Sequence, residues 1–172
     1  MVDSDLEKLQ EDCRQLRESK KTLLIATQGS QADISYAPFV EDEEGNFYIY
    51  VSELAGHTQN LLNRPDLSVM FIADEQDSQN LFARERLIFS CRAEEVLADS
   101  AVHDEQLGCL QKRFGNIIEM LRSLPDFHLF RLVPKQGRYV VGFGRAYNVE
   151  VGSGELKHID EQVLKAQKTD LA

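Results

Sequence analysis

The chain has 172 residues, enough for one domain with a sizeable hydrophobic core. Its formal net charge of −10 disfavours a nucleic-acid surface, which needs clustered lysine and arginine, and equally disfavours docking to an anionic membrane. Hydrophobic residues make up 42% of the chain, which is typical of a soluble globular protein.

The N-terminal sequence and the cysteines bear on the cellular compartment of the protein. The first ten residues, MVDSDLEKLQ, lack the basic and apolar regions of a signal peptide. No apolar stretch approaches the roughly 20 residues that a membrane-spanning helix needs. The cysteines, Cys13, Cys91 and Cys109, form no CxxC pair. We therefore expect reduced thiols in a cytoplasmic protein, with no disulfide framework and no zinc knuckle.

The first half of the chain changes from a helical to a β pattern. Apolar residues three to four positions apart predict an amphipathic helix over residues 3–20. A short helix is predicted near 54–63, ending before an Arg-Pro pair. Strands are predicted at residues 21–28, 32–42, 46–52 and 67–74. Short polar segments between the first three strands predict two consecutive hairpins.

The second half returns to strands after a helical insertion. In chain order we predict a long strand at 83–97, a helical region at 104–124, and two strands at 126–134 and 137–151. Gly115 is expected to divide the helical region in two. The last two strands are expected to form a hairpin that turns at Lys135 and Gln136. The polar residues 152–172 are predicted to form a mobile or partner-dependent tail.

Consecutive hairpins with helical insertions predict a small antiparallel barrel, in a mainly β fold with α insertions (α+β). We expect three parts along the chain. Residues 1–20 form an N-terminal helix packed on the barrel, residues 21–151 form the barrel domain, and residues 152–172 form the tail.

The first candidate site is the segment SELAGHTQN, which contains Ser52, His57, Thr58 and Asn60 around a helix start. The unpaired N–H groups and positive dipole end of a helix suit an anion, and these side chains could add hydrogen-bond donors. The structural alternative is that the same residues cap the helix and complete a turn.

The second candidate is the pair Arg84 and Arg86 in FARERL. On a strand, residues two apart face the same side, so both guanidinium groups could meet one anion. The alternative is an exposed basic pair that neutralises the preceding acidic loop. The two glycines of GFGRAY (142–147) indicate either a close approach of a flat ligand or a barrel corner.

The histidines indicate no catalytic or metal motif. His103 and His128 are expected to be structural or surface residues, His158 lies in the predicted tail, and Asp126 is expected to cap a strand start. The sequence contains no HExxH, no metal-spaced cluster and no GxSxG elbow. We therefore assign no catalytic residues from the sequence.

Several segments stand together in a recognisable order: KTLLIAT, ISYAPFV, SELAGHTQNLLNRPDLSVMFI, LFARERLIF and PDFHLFRLVPKQGRYVVGFGRAY. Over residues 21–149 the chain resembles the haem-utilisation branch of the pyridoxamine-phosphate-oxidase-like, FMN-binding split-barrel proteins. The resemblance implies a split β-barrel homodimer with ligand sites in clefts between the two subunits.

The resemblance also implies roles for the candidate residues. In flavin-binding members, the segment matching 52–60 and the strand matching Arg84 and Arg86 hold FMN. In the haem-degrading branch, the arginine matching Arg86 lies near haem. There, the aspartate matching Asp126 orients a proximal histidine from the C-terminal tail.

Two departures from the family pattern bear on these roles. Flavin-binding relatives often have lysine where this chain has His57, which weakens a phosphate site at neutral pH. Val163 stands where the family's haem-ligating histidine is expected. His158 is the substitute we consider for the iron ligand, reached through a shift of the tail.

Three functions remain open from the sequence. The first is a haem-binding, haem oxygenase-like protein of cytoplasmic haem and iron utilisation, which needs an electron donor if it is an enzyme. The second is an FMN-dependent oxidoreductase of the same fold. The third is a non-enzymatic carrier of haem or flavin.

Overall fold

The structure is a computed structural model, and it describes residues 2–159. Its helices are α1 (Val2–Ser19), α2 (Gly56–Asn63), α3 (Ala101–Phe114) and α4 (Ile117–Arg122). Its strands are β1 (Thr22–Gln28), β2 (Ala32–Glu41), β3 (Phe47–Ser52), β4 (Asp66–Ile72), β5 (Arg86–Val96), β6 (Phe127–Gly142), β7 (Arg145–Val149) and β8 (Leu156–His158). Two short 3-10 turns lie at Glu75–Asp77 and Leu81–Ala83.

The described chain divides into two compact units. The barrel unit comprises residues 20–70 and 89–135, and the second unit comprises residues 2–19, 71–88 and 136–159. In the barrel unit, strands are hydrogen-bonded in the order β3-β2-β1-β4-β5-β6, and antiparallel pairing of β3 with β6 closes the barrel. This closed six-stranded barrel confirms the predicted antiparallel, mainly β fold with helical insertions.

Alternating strand residues fill the interior of the barrel unit. On β1, Leu23 and Ile25 are each 1% exposed, while the residues between and beyond them are less buried. The ring of Phe47 lies 5.8 Å from that of Phe39 and 5.7 Å from that of Phe89. Burial of each such side chain stabilises the fold by roughly 1.5–3 kcal/mol, so this interior is a main source of stability.

The helical insertion covers a second apolar cluster of the barrel unit. The hydroxyl of Ser100 accepts a hydrogen bond from the backbone N–H of His103 and caps α3. Gly115 ends α3 with φ of 82°, a left-handed backbone that favours glycine, which confirms the predicted division of the helical region. The buried cluster contains Val40, Tyr48, Leu107, Leu110, Ile118 and Leu129.

The second unit combines α1 with the antiparallel strands β6, β7 and β8. Cys13 and Leu16 of the predicted apolar face of α1 are buried. Tyr139 lies opposite Tyr147, and Tyr147 lies opposite His158. Tyr139 is fully buried, so this unit has an apolar interior of its own.

The hairpin predicted at Lys135 and Gln136 is wrong. Both residues are exposed but extended, and they lie within the single 16-residue strand β6. The chain instead reverses between β6 and β7, where Gly144 has φ of 66°. Pro134 followed by two polar residues is a pattern typical of a turn, but Pro134 is buried within β6. The chain reverses at Gly144, where the left-handed backbone favours glycine. The glycines of GFGRAY therefore belong to a hairpin turn.

The start of the predicted tail contains a strand, whereas residues 160–172 of the predicted tail lie outside the described residues. Within 152–172, residues Leu156–His158 form β8 and pair with β7. Among the described residues, no helix combines the length and apolar character needed to cross a bilayer.

Candidate functional site

The polar side chains at the end of β3 are hydrogen-bonded inside the barrel unit. The hydroxyl of Ser52 donates to Asp126 Oδ2 at 2.5 Å and accepts from the backbone N–H of Leu54 at 3.1 Å. The hydroxyl of Thr58, which is fully buried, donates to the carbonyl oxygen of Ser52 at 2.6 Å. The structure thus brings together three of the predicted site residues, and these bonds fit the structural alternative for Ser52 and Thr58.

Asn60 joins α2 to the first hairpin. Its Nδ2 donates to Thr27 Oγ1 at 2.9 Å. A Cβ atom at Gly29 would lie 2.3 Å from Asn60 Oδ1, which is closer than side chains can approach. The side chain of Asn60 is therefore fixed on both sides by the β1–β2 hairpin.

The start of α2 has polar atoms that can still form hydrogen bonds. The N-cap residue is Ala55, whose side chain cannot cap the helix. His57 is 7% exposed, and its Nε2 has no hydrogen-bond partner among the described residues. Burial lowers the pKa of His57, partly opposed by the charge of Asp33, so a neutral imidazole is favoured. An unpartnered buried nitrogen is costly, which makes His57 the α2 residue best placed to accept a new hydrogen-bond partner.

The prediction that Arg84 and Arg86 share one strand is wrong, because β5 begins at Arg86. Arg84 follows the 3-10 turn instead, and its guanidinium group donates to the carbonyl oxygen of Ala73 at 2.6 Å and contacts Glu75 at 3.0 Å. Arg84 therefore forms its hydrogen bonds with the acidic loop, as the structural alternative predicted.

Arg86 has a different environment. Its Nη1 donates to the backbone carbonyl of Arg84 at 2.9 Å, and the described residues provide it with no carboxylate partner. The planar guanidinium group has five donors, so several remain for an anion. Both arginines lie in the second unit, whereas the α2 residues and Asp126 lie in the barrel unit.

His158 lies on β8 in the second unit. Its Nε2 is 3.1 Å from the carbonyl oxygen of Gly144, and its ring meets that of Tyr147 edge-on at 5.2 Å. A carbonyl oxygen only accepts, so this bond places the proton on Nε2 and leaves the lone pair of Nδ1 for a metal. His158 is exposed on its strand. Val163, the position of the family's histidine, lies outside the described residues.

The sequence missed one polar cluster of the barrel unit. His128 Nδ1 lies 2.5 Å from Glu95 Oε1, and His128 Nε2 lies 2.7 Å from Glu53 Oε1. Partial burial lowers the pKa of His128, but the hydrogen bonds with Glu95 and then Glu53 outweigh it, and the pKa is raised overall. The HLF alternation places His128 on a strand, but no local signal identifies its two partners.

The sequence also missed a buried contact of the second unit. The phenol of Tyr139 donates a hydrogen bond to Glu85. Burial, together with this bond, raises the pKa of Tyr139, so the phenol stays neutral. Among the described residues, no cluster of three histidine, cysteine or acidic side chains has the arrangement of a metal site.

Comparison with known proteins agrees with this architecture. Residues 9–141 match the family model of pyridoxamine 5'-phosphate oxidase. The chain is 42% identical over 144 residues to "Heme oxygenase HutZ" of Vibrio cholerae serotype O1, with 83% of this chain and 81% of that protein covered.

Solved structures give the same result. The crystal structure of HutZ from Vibrio cholerae, described there as a heme storage protein, matches with a TM-score of 0.72 and 38% identity, covering 77% of this chain and 96% of that chain. Campylobacter jejuni ChuZ matches with a TM-score of 0.77 and 30% identity, covering 89% of this chain and 63% of that chain. The chain therefore belongs to the haem-utilisation branch of the pyridoxamine 5'-phosphate-oxidase-like split-barrel superfamily.

Proposed function

We propose that this chain binds haem. The observation that carries the proposal is its 42% identity to HutZ over most of both proteins, since HutZ is named as a heme oxygenase and as a heme storage protein. A shared fold alone does not identify a ligand, so the side chains must also suit haem.

Arg86 suits a haem propionate. Arg86 is half-buried, and the hydrogen bond that its guanidinium group makes to the described residues is to the backbone carbonyl oxygen of Arg84. A carboxylate can accept two parallel N–H bonds from such a group. Arg84 suits this role less well, because Ala73 and Glu75 already occupy it.

The barrel unit offers His57 rather than Ser52 or Thr58 as a polar contact. Ser52 and Thr58 are hydrogen-bonded within the fold, as is Asn60, whereas Nε2 of His57 is buried without a described partner. Asp126, which the family resemblance assigns to orienting a histidine, accepts the hydroxyl of Ser52 instead. We infer that Asp126 supports the loop before α2 unless a histidine displaces Ser52.

His158 is the iron ligand that we propose. Iron in haem is commonly held by a neutral imidazole, and Nδ1 of His158 keeps its lone pair when Nε2 donates to Gly144. Haem supplies redox-active iron that can activate oxygen, and the chain's own residues hold and orient it.

The test is a haem titration of the full chain, followed by the Soret band. We expect saturable binding in the wild type, and loss of the ligand-dependent Soret shift in His158→Ala. Arg86→Gln should weaken binding by about 10-fold, the effect of losing one charge-assisted contact of roughly 1.4 kcal/mol. His103→Gln, on α3, is the matched control and should bind normally. Saturable binding of FMN without haem would support the flavin alternative instead.

Degradation and storage differ in the fate of bound haem. We propose degradation, with an external electron donor, because the full-length relative carries the oxygenase name. Adding a chemical reductant and oxygen to the haem complex should bleach the Soret band and release iron. A Soret band that persists under these conditions would favour a non-enzymatic carrier.

We further propose a cytoplasmic homodimer. On β2, Ile34 is 73% exposed and Tyr36 is 65% exposed, and residues two apart on a strand share one side. Such neighbouring apolar side chains suit a second copy of the chain. Light scattering should give the mass of two chains for the wild type and for Met120→Asp on α4, but one chain for Ile34→Asp with Tyr36→Asp.

A further inference from the structure

The geometry around His128 requires a particular protonation state. Ring nitrogens of His128 lie 2.5 Å from a carboxylate oxygen of Glu95 and 2.7 Å from one of Glu53. Ionised carboxylates only accept hydrogen bonds, so a ring nitrogen must carry a proton at each contact. Both contacts exist together only when His128 is an imidazolium cation.

The two carboxylates come from different elements of the barrel unit. Glu53 directly follows β3, and Glu95 lies on β5. His128 is 19% exposed at its side chain, whereas Glu53 is 47% exposed and Glu95 is 44% exposed. The cation is thus more enclosed than either of its partners, and it lies between two negative charges.

The other charged groups near this cluster have partners of their own. Glu94, beside Glu95 on β5, pairs with Arg131 of β6. Asp126, two residues before His128, accepts the hydroxyl of Ser52. These pairs leave His128 as the cation that Glu53 and Glu95 share.

Glu53 belongs to the loop that leads into α2. This loop, residues 52–55, makes three contacts with β6 and the residue that precedes it: Ser52 Oγ to Asp126 Oδ2, Glu53 N to Asp126 O, and Glu53 Oε1 to His128 Nε2. The loop in turn supports α2, because the carbonyl oxygen of Ser52 accepts from Ala55 N and from Thr58 Oγ1.

We propose that doubly protonated His128 is a positioning residue, which fixes the loop 52–55 and the start of α2 by bridging Glu53 and Glu95. A neutral His128 can donate to only one carboxylate. The other is then left beside a like charge with no cation between them. Glu53, on an exposed loop, is the partner that moves away, while the two bonds to Asp126 remain.

Through this loop, His128 also controls haem binding, a consequence that rests on the function proposed above. His57 is the second residue of α2 and lies in its first turn, two residues after Ala55. When His128 loses a proton, only the bonds to Asp126 still hold the loop, so the helix start and the imidazole of His57 are less firmly fixed and affinity for haem should fall.

The first test uses the full chain without haem. The pKa of His128, followed by NMR of the histidine ring protons, should lie above the ordinary histidine value and should fall in Glu53→Gln and in Glu95→Gln. An ordinary pKa for His128 in the wild type would overturn the proposal, and this measurement needs no variant to fold.

The second test follows amide exchange in residues 53–58 at about pH 6 and about pH 9, after correction for intrinsic rates. The wild type should exchange about two- to fivefold faster at the higher pH, the range expected for loss of one partly exposed ion pair. His128→Gln should exchange fast at both values. His128→Arg, a cation that does not titrate here, should stay protected at both. Equal exchange in all three proteins would overturn the proposal.

The haem titration separates the two proposals. Wild-type affinity should fall about two- to fivefold between about pH 6 and about pH 9, and His128→Arg should remove this dependence. If neither the wild type nor the variant binds haem, the proposed function is refuted. The role of His128 would then still be decided by ring titration and amide exchange, which need no haem. Haem binding with the same pH dependence in His128→Arg would refute the link between them.

Discussion

Each unit contains a hydrogen bond between an aromatic side chain and a carboxylate from a distant part of the chain, but the two bonds differ in their response to pH. In the second unit, the buried phenol of Tyr139 donates to Glu85, and burial raises its pKa. In the barrel unit, the less enclosed His128 bridges Glu53 and Glu95 only while protonated. The same type of contact is therefore permanent in one unit and pH-dependent in the other.

The largest effect is expected at Tyr139. Tyr139→Ala removes a fully buried ring and should lower the free energy of unfolding by roughly 3–5 kcal/mol. Tyr139→Phe keeps most of the packing and should cost about 1–3 kcal/mol, since Glu85 loses its donor. Urea unfolding at about pH 6 and about pH 9 should give the same cost at both values. A cost that changes with pH would remove the contrast with His128.

A smaller effect is expected at Ser52. Ser52→Ala removes the donor to Asp126 and should lower the free energy of unfolding by about 1.5 kcal/mol, independently of pH above the carboxylate range. Ser123→Ala is the matched control, because the exposed hydroxyl of Ser123 bonds only a carbonyl oxygen at the end of α4. If the Ser52 variant alone abolished the pH dependence of the loop, Asp126 rather than His128 would be its anchor.

His128→Gln should have a smaller effect on stability. Because the pKa of His128 is raised in the folded protein, its contribution is fully present below the unfolded value of about 6.5 and is lost as pH rises through the folded pKa. The wild type should therefore exceed the variant by less than about 1 kcal/mol near pH 6, and by nothing near pH 9. A difference that grows with pH would reverse the assignment of the charged state.

The rate of thiol labelling compares the two units directly and needs no substitution. Burial raises the pKa of Cys13 in the second unit and of Cys91 in the barrel unit to about 12, so both thiols should resist a thiol reagent at about pH 8. Cys109, on α3, is half-buried and should react first. Rapid labelling of Cys13 but not Cys91 would indicate that the second unit opens locally before the barrel.

Elements with strong local patterns could be predicted from the sequence. Alternating burial on β1 and the left-handed Gly115 between α3 and α4 depend on neighbouring residues. The hairpin at Lys135 and Gln136 could not be excluded in this way, because β6 runs on through both exposed residues and pairs with β3 before them and with β7 after them. Tertiary pairing, which a single sequence does not display, overrode the local turn signal.

The neighbourhood of the candidate residues in the sequence was predictable, but the partners of their side chains were not. Ser52, Thr58 and Asn60 stand together in the sequence, and the structure keeps them together at α2. Their environment depends on long-range contacts, such as that of Ser52 with a residue 74 positions away. The two carboxylate partners of His128 were missed for the same reason, because they lie 33 and 75 positions away.

The close approach between Gly29 and Asn60 determines how freely the first hairpin can vary. Gly29 does not have the left-handed backbone that favours glycine, in contrast to Gly154, whose φ is 72°. Its lack of a side chain is explained by a helix that begins 27 positions later, since a Cβ at Gly29 would force the side chain of Asn60 to shift. In a scan that measures haem binding for each substitution, Gly29 should therefore be as sensitive as the residues of α2. Its replacement should weaken haem binding before it alters the turn.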